Sequence, residues 1–518
     1  MSDTERAKQL LLGGAALAVV SGGREYTCTE SGIKALHRIA TQSPEVLDGA
    51  SVADKIVGKA AALLMTACGV REVYAAVMSR GAKELFEKYN IACSCSTLAE
   101  QIINRKGTGA CPMEQTAAYI DDPAMAAEAI GRMLKLLQMR GKGESEMKKL
   151  GFGLMRLPLK SDDQTDIDFE QLKKMVDLFL ERGFEYFDTA WMYHNHTSET
   201  AIRECLVKRY PRECYRLTTK LPVFMLSKRE DMQKTFDTQL EKCGVEYFDN
   251  YLIHNINSGD YDKVQQFDAF GFVKSLKEQG KIRHYGFSFH DTPELLDKVL
   301  CDHPDAEFVQ LQINYLDWDS EGVQSRRLWE VARRHNKPII VMEPVKGGTL
   351  ANIPEQAANV FRAADPAMSV PGWAIRFAAG LDGVEMVLSG MSDMAQLEDN
   401  TSFMQNFTPL SETELQTVKK VTALINHTGA IACTACRYCT ENCPRDIPIP
   451  DYFSLYNLEL IENAKGDKDW TTQANYYENL ARAHGKASDC IKCGRCESHC
   501  PQHLRIRDLL VKVAEKFE

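Results

Sequence analysis

The 518-residue sequence has no apolar run long enough to cross a bilayer, where a spanning helix needs about 20 consecutive apolar residues. Its nearest approach, residues 9–20, follows Arg6 and Lys8 in the manner of a signal-peptide core. That run is too short to span, and it reads as a helix end followed by a buried strand. Basic excess is absent too: 62 Lys and Arg against 72 Asp and Glu leave a net charge of −10, which gives no reason to expect a nucleic-acid partner. There is no low-complexity tract. A content of 44% hydrophobic and 26% charged residues excludes a disordered chain. The length suffices for two to four domains, each with its own core. The expectation is a soluble multidomain protein with neither membrane nor nucleic acid as partner.

Cysteine is what the chain has in quantity: 17 residues. Nine are scattered, which suits a reducing compartment and points to the cytoplasm rather than to a disulfide framework. The other eight form two matched sets, Cys433-x-x-Cys436-x-x-Cys439-x-x-x-Cys443-Pro444 and Cys490-x-x-Cys493-x-x-Cys496-x-x-x-Cys500-Pro501. Three thiols at three-residue steps wrap three corners of an iron–sulfur cube, and the fourth, before a proline, reaches the other cube. Two [4Fe–4S] clusters are expected, one on Cys433, Cys436, Cys439 and Cys500, the other on Cys490, Cys493, Cys496 and Cys443. Zinc also takes C-x-x-C pairs, but it needs four ligands and has no use for the third cysteine. This tail resembles a dicluster ferredoxin. The helical patterning of 452–463 and 471–483 between the sets is similar to the helical variety of that domain.

Three segments are expected: 1–145, 148–405 and 406–518. The polar stretch 140–147 separates the first two. The first alternates helical patterns (53–67, 113–139) with short strand-like runs (16–20, 72–77). The second alternates strand and helix throughout. Its strands are predicted at 151–155, 186–189, 216–221, 250–254, 284–289, 308–314, 339–343 and 386–390. Helical runs at 169–182, 230–243, 265–279, 324–336, 372–379 and 393–403 lie among them. Eight strand–helix units over this length predict a (β/α)8 barrel. No G-x-G-x-x-G follows the first strand, which removes the usual sign of a Rossmann domain. The third segment is mainly helical, with patterns at 412–425, 480–484 and 506–516. The fold class is multidomain α/β around a central TIM barrel.

Barrel enzymes carry their catalytic groups at the C-terminal ends of the strands. Those ends supply Asp188 and Tyr193 after strand two, Lys220 after strand three and His254 after strand four. A carbonyl that accepts hydride becomes an alkoxide and needs a proton donor. A phenol beside a lysine cation is expected to have its pKa lowered from about 10. Tyr193 is therefore the expected general acid, Lys220 its tuner, Asp188 the lysine's anchor and His254 the group that orients the carbonyl.

With those residues, Leu150-Gly-Phe-Gly-Leu-Met-Arg156, Asp188-Thr-Ala-x-x-Tyr193, Gly286-Phe-Ser288, Gln312 and Asn400, residues 148–405 resemble an aldo/keto reductase. The resemblance implies reduction of aldehydes and ketones with NAD(P)H, and cofactor contacts at Ser288, Gln312, Gly390 and Asn400. Phe289 stands where much of the family has Asn, Met342 where an aromatic ring stacks on nicotinamide, and Gly390 and Gln396 where Lys and Arg grip a 2′-phosphate. NAD, NADP and another hydride donor stay open. Nicotinamide passes two electrons and each cluster passes one, so direct coupling needs a mediator; there is no flavin signature, yet a flavin stays open. The clusters then serve an external ferredoxin or other electron carrier, or hold the C-terminal domain together. A small carbonyl or alcohol is the expected substrate. The rival reading is an electron-transfer or redox-sensing protein whose barrel turns over no nicotinamide.

Residues 1–145 resemble an uncharacterised family with a cytidine-deaminase-like fold, through 26–30, 53–60 and 104–114. Zinc deaminases need H-x-E and P-C-x-x-C. Here His37 is followed by Arg38 and Ile39, and Cys111 has no partner three residues on, so zinc-dependent deamination is not expected. Asp54, Lys55, Lys59, Cys111 and Glu114 are pocket candidates, with caps and solvated charges as the alternative, and the segment's role is small-molecule sensing or structural support.

Overall fold

Eight parallel strands close on themselves in the computed structural model. It describes all residues except 31, 105–108, 141–146, 321–322, 427–428, 442 and 463–470. Most of the polar stretch 140–147, and part of 104–114, lie outside the described residues. Five strands precede the barrel: β1 (Leu17–Ser21), β2 (Arg24–Cys28), β3 (Ser51–Val57), β4 (Glu72–Ser79) and β5 (Ala92–Ala99). They form one sheet in the order β2-β1-β3-β4-β5, antiparallel at β1 and parallel from β3 to β5. The helix Asp3–Leu12 precedes β1, so the apolar run at 9–20 is a helix end and a buried strand.

The barrel strands are β6 (Leu150–Gly153), β7 (Tyr186–Asp188), β8 (Arg216–Leu221), β9 (Phe248–Ile256), β10 (Ile282–Phe289), β11 (Phe308–Gln312), β12 (Ile339–Met342) and β13 (Val384–Gly390). β13 pairs with β6 to close the ring, Leu388 opposite Gly151 and Gly390 opposite Gly153. Each strand is buried along most of its length, as a sheet covered on both faces requires. Several strands end one or two residues before the sequence pattern, because the chain turns where side chains leave the apolar interior for the barrel mouth.

Three predicted helices are corrected. Residues 53–67 are not one helix: β3 runs to Val57 and a helix occupies Lys59–Ala67, since Val52, Ile56 and Val57 favour a strand and Gly58 breaks the run. The pattern at 113–139 divides into Pro112–Ala117 and Ala126–Arg140, interrupted at Pro123, which cannot donate within a helix. The pattern at 265–279 divides into Tyr261–Gln266 and Ala269–Glu278, with Asp268 left-handed at φ 52°.

The helix Glu412–Asn426 packs on Glu355–Ala364, and its Val418, Val421 and Ile425 join the barrel's core. Beyond it the helices Ile449–Glu462, Thr472–Ala483 and Ile506–Phe517 build a separate core on Tyr452, Phe453, Tyr477, Leu510 and Val513. Ring contacts from Tyr452 to Tyr477 (4.4 Å) and from Tyr477 to Phe517 (5.1 Å) tie the three together. No described helix is long and apolar enough to cross a membrane.

Candidate active site

The C-terminal ends of the strands open into a cavity of about 510 Å³ that holds Asp188, Tyr193 and His254. Lys220, 1% exposed, donates from Nζ to Asp188 Oδ1 at 2.5 Å, to the Thr189 carbonyl at 2.8 Å and to the Tyr193 hydroxyl at 3.3 Å. Gln310 donates to the other Asp188 oxygen at 3.4 Å. The His254 ring stands edge-on to Tyr193, centroids 6.3 Å apart. The structure thus brings Asp188, Tyr193, Lys220 and His254 to one place. Tyr193 is held there by a strained turn: His194, Asn195 and His196 are all left-handed (φ 51°, 48° and 70°), a conformation that costs on the order of 1 kcal/mol or more per bulky residue. The His194 ring repays part of this by accepting the Leu157 amide at 3.0 Å.

The electrostatics correct one expectation. The Tyr193 phenol is not lowered but pushed well above its usual range, first by burial and then by the Asp188 and Glu343 charges. Asp188 at 2.5 Å balances the lysine's charge, so little is left to favour the phenolate. Burial also lowers Lys220 and raises Asp188, and it holds His254 well below 6.5, with Lys220 and His290 adding repulsion. The site therefore presents a protonated phenol and a neutral imidazole.

Ser288, Gln312, Gly390 and Asn400 line the same cavity. Ser288 Oγ accepts the Asn255 amide at 2.8 Å, and Asn400 donates to Ser389 Oγ at 3.0 Å. Gln312 is already engaged: it donates to Asp317 at 2.9 Å and to Gln502 at 2.8 Å, and Gln502 donates back at 2.9 Å. Lys346, buried, donates to both Asp317 oxygens and to Gln502 (2.6, 2.7 and 2.8 Å).

Sequence reasoning missed the C-terminal contribution. Cys436, Tyr438, Pro501 and Gln502 form a wall of the barrel's cavity. Cys436 and Pro501 belong to the cysteine sets, but no local signal places Tyr438 or Gln502 at the barrel, since the Gln312–Gln502 pairing spans 190 residues. It also passed over His290 and Glu343, each with a buried side-chain atom that has no hydrogen-bond partner among the described residues. Glu343 is left-handed at φ 57°, and that backbone strain at a strand end has no sequence signature.

The cysteines fall into two groups. Cys433, Cys436, Cys439 and Cys500 line one small cavity, and Cys443, Cys490, Cys493 and Cys496 line another. Burial pushes the Cys436 thiol up to about 12, with Cys500 and Cys433 adding to it. Four thiols gathered round one small cavity, Cys439 buried and Cys433, Cys436 and Cys500 half-buried, fit a site built around cationic metal.

In the N-terminal sheet the pocket candidates make local ties. Glu114 accepts the Lys59 amide at 2.9 Å, Lys59 donates to the Ala118 carbonyl at 2.7 Å, and Cys111 is the N-cap of Pro112–Ala117. Lys55 is exposed. Asp54 accepts the Ile56 amide at 3.0 Å, yet burial raises its carboxyl to about 6. The folded state thus binds this proton more tightly than the unfolded chain does, and stability falls as pH rises from about 4 to 6. Asp54→Asn is expected to gain on the order of 1–3 kcal/mol at pH 7 and to flatten that pH dependence. Thermal melts at pH 4 and pH 7 check it; an unchanged difference between the two would refute it.

Residues 149–423 match a sequence model described as the aldo/keto reductase family. The chain belongs to that family. In this aldo/keto reductase, residues 432–504 also match a 4Fe-4S dicluster domain, and residues 6–134 a domain of unknown function (DUF1893). It is 29% identical over 214 residues to the 9,11-endoperoxide prostaglandin H2 reductase of Trypanosoma cruzi, covering 40% of this chain and 65% of that protein. It is 21% identical over 309 residues to the L-galactose dehydrogenase of Arabidopsis thaliana, covering 56% of this chain and 94% of that one. Among solved structures it is similar to an aldo/keto reductase of Klebsiella pneumoniae determined with NADP and acetate, at 18% identity and a TM-score of 0.44, over 53% of this chain and 92% of the other. The protein is an oxidoreductase that carries an iron–sulfur domain of the 4Fe-4S dicluster type.

Proposed function

We propose that this enzyme interconverts a small carbonyl compound and its alcohol, with Tyr193 as the proton donor, a nicotinamide dinucleotide as the hydride source and two [4Fe–4S] clusters in its C-terminal segment. The observation that carries the reading is the Lys220 ammonium, held by Asp188 at 2.5 Å and donating to the Tyr193 oxygen at 3.3 Å inside the barrel-mouth cavity. Because that oxygen accepts from Lys220, its own O–H is free to point at a substrate oxygen. An alkoxide is a far stronger base than a phenolate, so even a raised phenol donates downhill. His254, neutral, is placed to orient the carbonyl oxygen, and Asp188 keeps Lys220 charged and fixed.

The cavity suits a nicotinamide dinucleotide in its reach: it extends from Tyr193 to Gly390, Ser392, Gln396 and Asn400. Ser288, Gly390 and Asn400 would hold it, whereas the Gln312 amide is bonded to Asp317 and Gln502; when bound, the nucleotide supplies hydride. Neither Gly390 nor Gln396 is itself a cation, and Arg156, whose stem packs on Gly390, donates to the Thr434 carbonyl, so both NADH and NADPH are candidates. The thiol cavities suit iron cubes, Cys433, Cys436, Cys439 and Cys500 in one and Cys443, Cys490, Cys493 and Cys496 in the other, each supplying single-electron chemistry. An external one-electron carrier is the partner this implies. We divide the chain at 145 and, because Glu412–Asn426 packs on the barrel, after residue 426 rather than at 405.

One observation favours a second reading, an electron-transfer or sensing protein whose barrel turns over no nicotinamide: Gln312 is already saturated by Gln502 and Asp317. Anaerobic protein with 4-nitrobenzaldehyde and each nucleotide in turn separates the two. Steady nucleotide oxidation with at least one of them is expected; none with either leaves the second reading standing.

A further inference from the structure

The wall of the cavity contributed from beyond the barrel is held in a defined position. Arg156 donates to the Thr434 carbonyl at 2.8 Å, and Thr349 to that of Cys433 at 3.4 Å. The chain at Thr434 lies so close to Gly347 that an added Cβ would come within 2.8 Å of Thr434 Cα, and Gly347 is left-handed at φ 64°. On the other side Gln502 is locked by two hydrogen bonds exchanged with Gln312 and a third from Lys346. Tyr438, four residues beyond Thr434, follows that anchored stretch of chain and lines the cavity.

The surroundings of that ring are aromatic and apolar as well as polar. Tyr193, His254 and His290 line the cavity with it, together with Met155, Met342 and Pro344. Phe224 backs His254 edge-on at 5.7 Å. A flat, conjugated molecule whose oxygen met Tyr193 would find ring edges and faces on more than one side. A small polyhydroxylated aldehyde would find them of little use.

We propose that Tyr438, carried on the loop between Cys436 and Cys439, is a substrate-contacting residue that selects planar, conjugated carbonyl compounds over small aliphatic ones. This rests on the carbonyl chemistry proposed above. It makes the C-terminal segment part of the barrel's substrate pocket.

The test is equilibrium binding to anaerobically isolated holoprotein, by calorimetry, with 4-nitrobenzaldehyde and with DL-glyceraldehyde, each with and without NADP⁺ or NAD⁺. Tyr438→Leu, which removes the ring, is expected to weaken the aromatic aldehyde about tenfold and glyceraldehyde by less than about twofold, while Tyr438→Phe keeps the preference. An unchanged ratio in Tyr438→Leu overturns the proposal. So does a change confined to nucleotide affinity, or failure of the wild type to bind either aldehyde. Tyr438→Met is the second ring-free variant, and iron content is measured in both; loss of iron from both also overturns it, marking the ring as part of the loop's packing. Failure of the acid assignment looks different: Tyr193→Phe would turn over the aldehyde undiminished while the dependence on Tyr438 stayed intact.

Discussion

Tyr193→Phe should lower carbonyl turnover by about 10²–10⁴-fold, the span usual for one positioned general acid, and leave substrate and nucleotide binding almost unchanged. Only the hydroxyl is removed, and its one described hydrogen bond is a long one from Lys220, at 3.3 Å. Lys220 keeps its shorter bonds to Asp188 and Thr189, so no buried charge is stranded. Lys220→Met is the harsher change. Asp188 is 3% exposed and Lys220 1%, and removing one partner of a buried pair typically costs about 3–5 kcal/mol. The loss of rate in that variant would mix chemistry with unfolding, so phenylalanine is the cleaner probe. Single-turnover rates and binding constants measured anaerobically separate the two effects. Unchanged turnover in Tyr193→Phe would refute the acid assignment.

Removing iron should unfold the C-terminal segment and leave the barrel standing. The helices beyond residue 426 share a small core around Tyr452, Tyr477 and Leu510, and the two thiol cavities interrupt it. So small a core rarely holds a fold alone, and structural metal sites commonly supply on the order of 10 kcal/mol of apparent binding energy that is also folding energy. The barrel has a far larger apolar interior, continuous with the N-terminal sheet. Calorimetry before and after anaerobic chelation should show the lower-temperature transition vanish, with residues 473–518 newly open to protease. Gln312 and Lys346 would keep Asp317, but the Gln312 side-chain oxygen would lose its donor, Gln502, at about 1–3 kcal/mol, and the barrel's own transition should shift down. One transition indifferent to chelation would contradict this.

The barrel was legible because its chemistry recurs at a fixed place. Each strand is a short apolar run, and Asp188, Lys220 and His254 stand where three such runs end. The cysteine sets were legible because their spacing is local. What escaped notice is non-local or electrostatic. Gln502 and Gln312 meet only once the chain has folded, and Tyr438 carries no motif beyond lying between two cysteines. The sign of the Tyr193 shift was misread because a list of neighbours does not show that Asp188 cancels Lys220 while burial dominates. Helices were misjudged where one residue outweighs a pattern: Gly58 after β3, Pro123 between two helices, and Asp268 at a break.

The carbonyl chemistry is tested most directly by where hydride goes. Anaerobic protein is incubated with 4-nitrobenzaldehyde and nicotinamide nucleotide deuterated at the transferring carbon, and the alcohol is analysed by mass spectrometry. Deuterium is expected on the carbinol carbon, in a reaction that Tyr193→Phe nearly abolishes. Alcohol formed without deuterium, or none formed while the protein retains its iron, would contradict it.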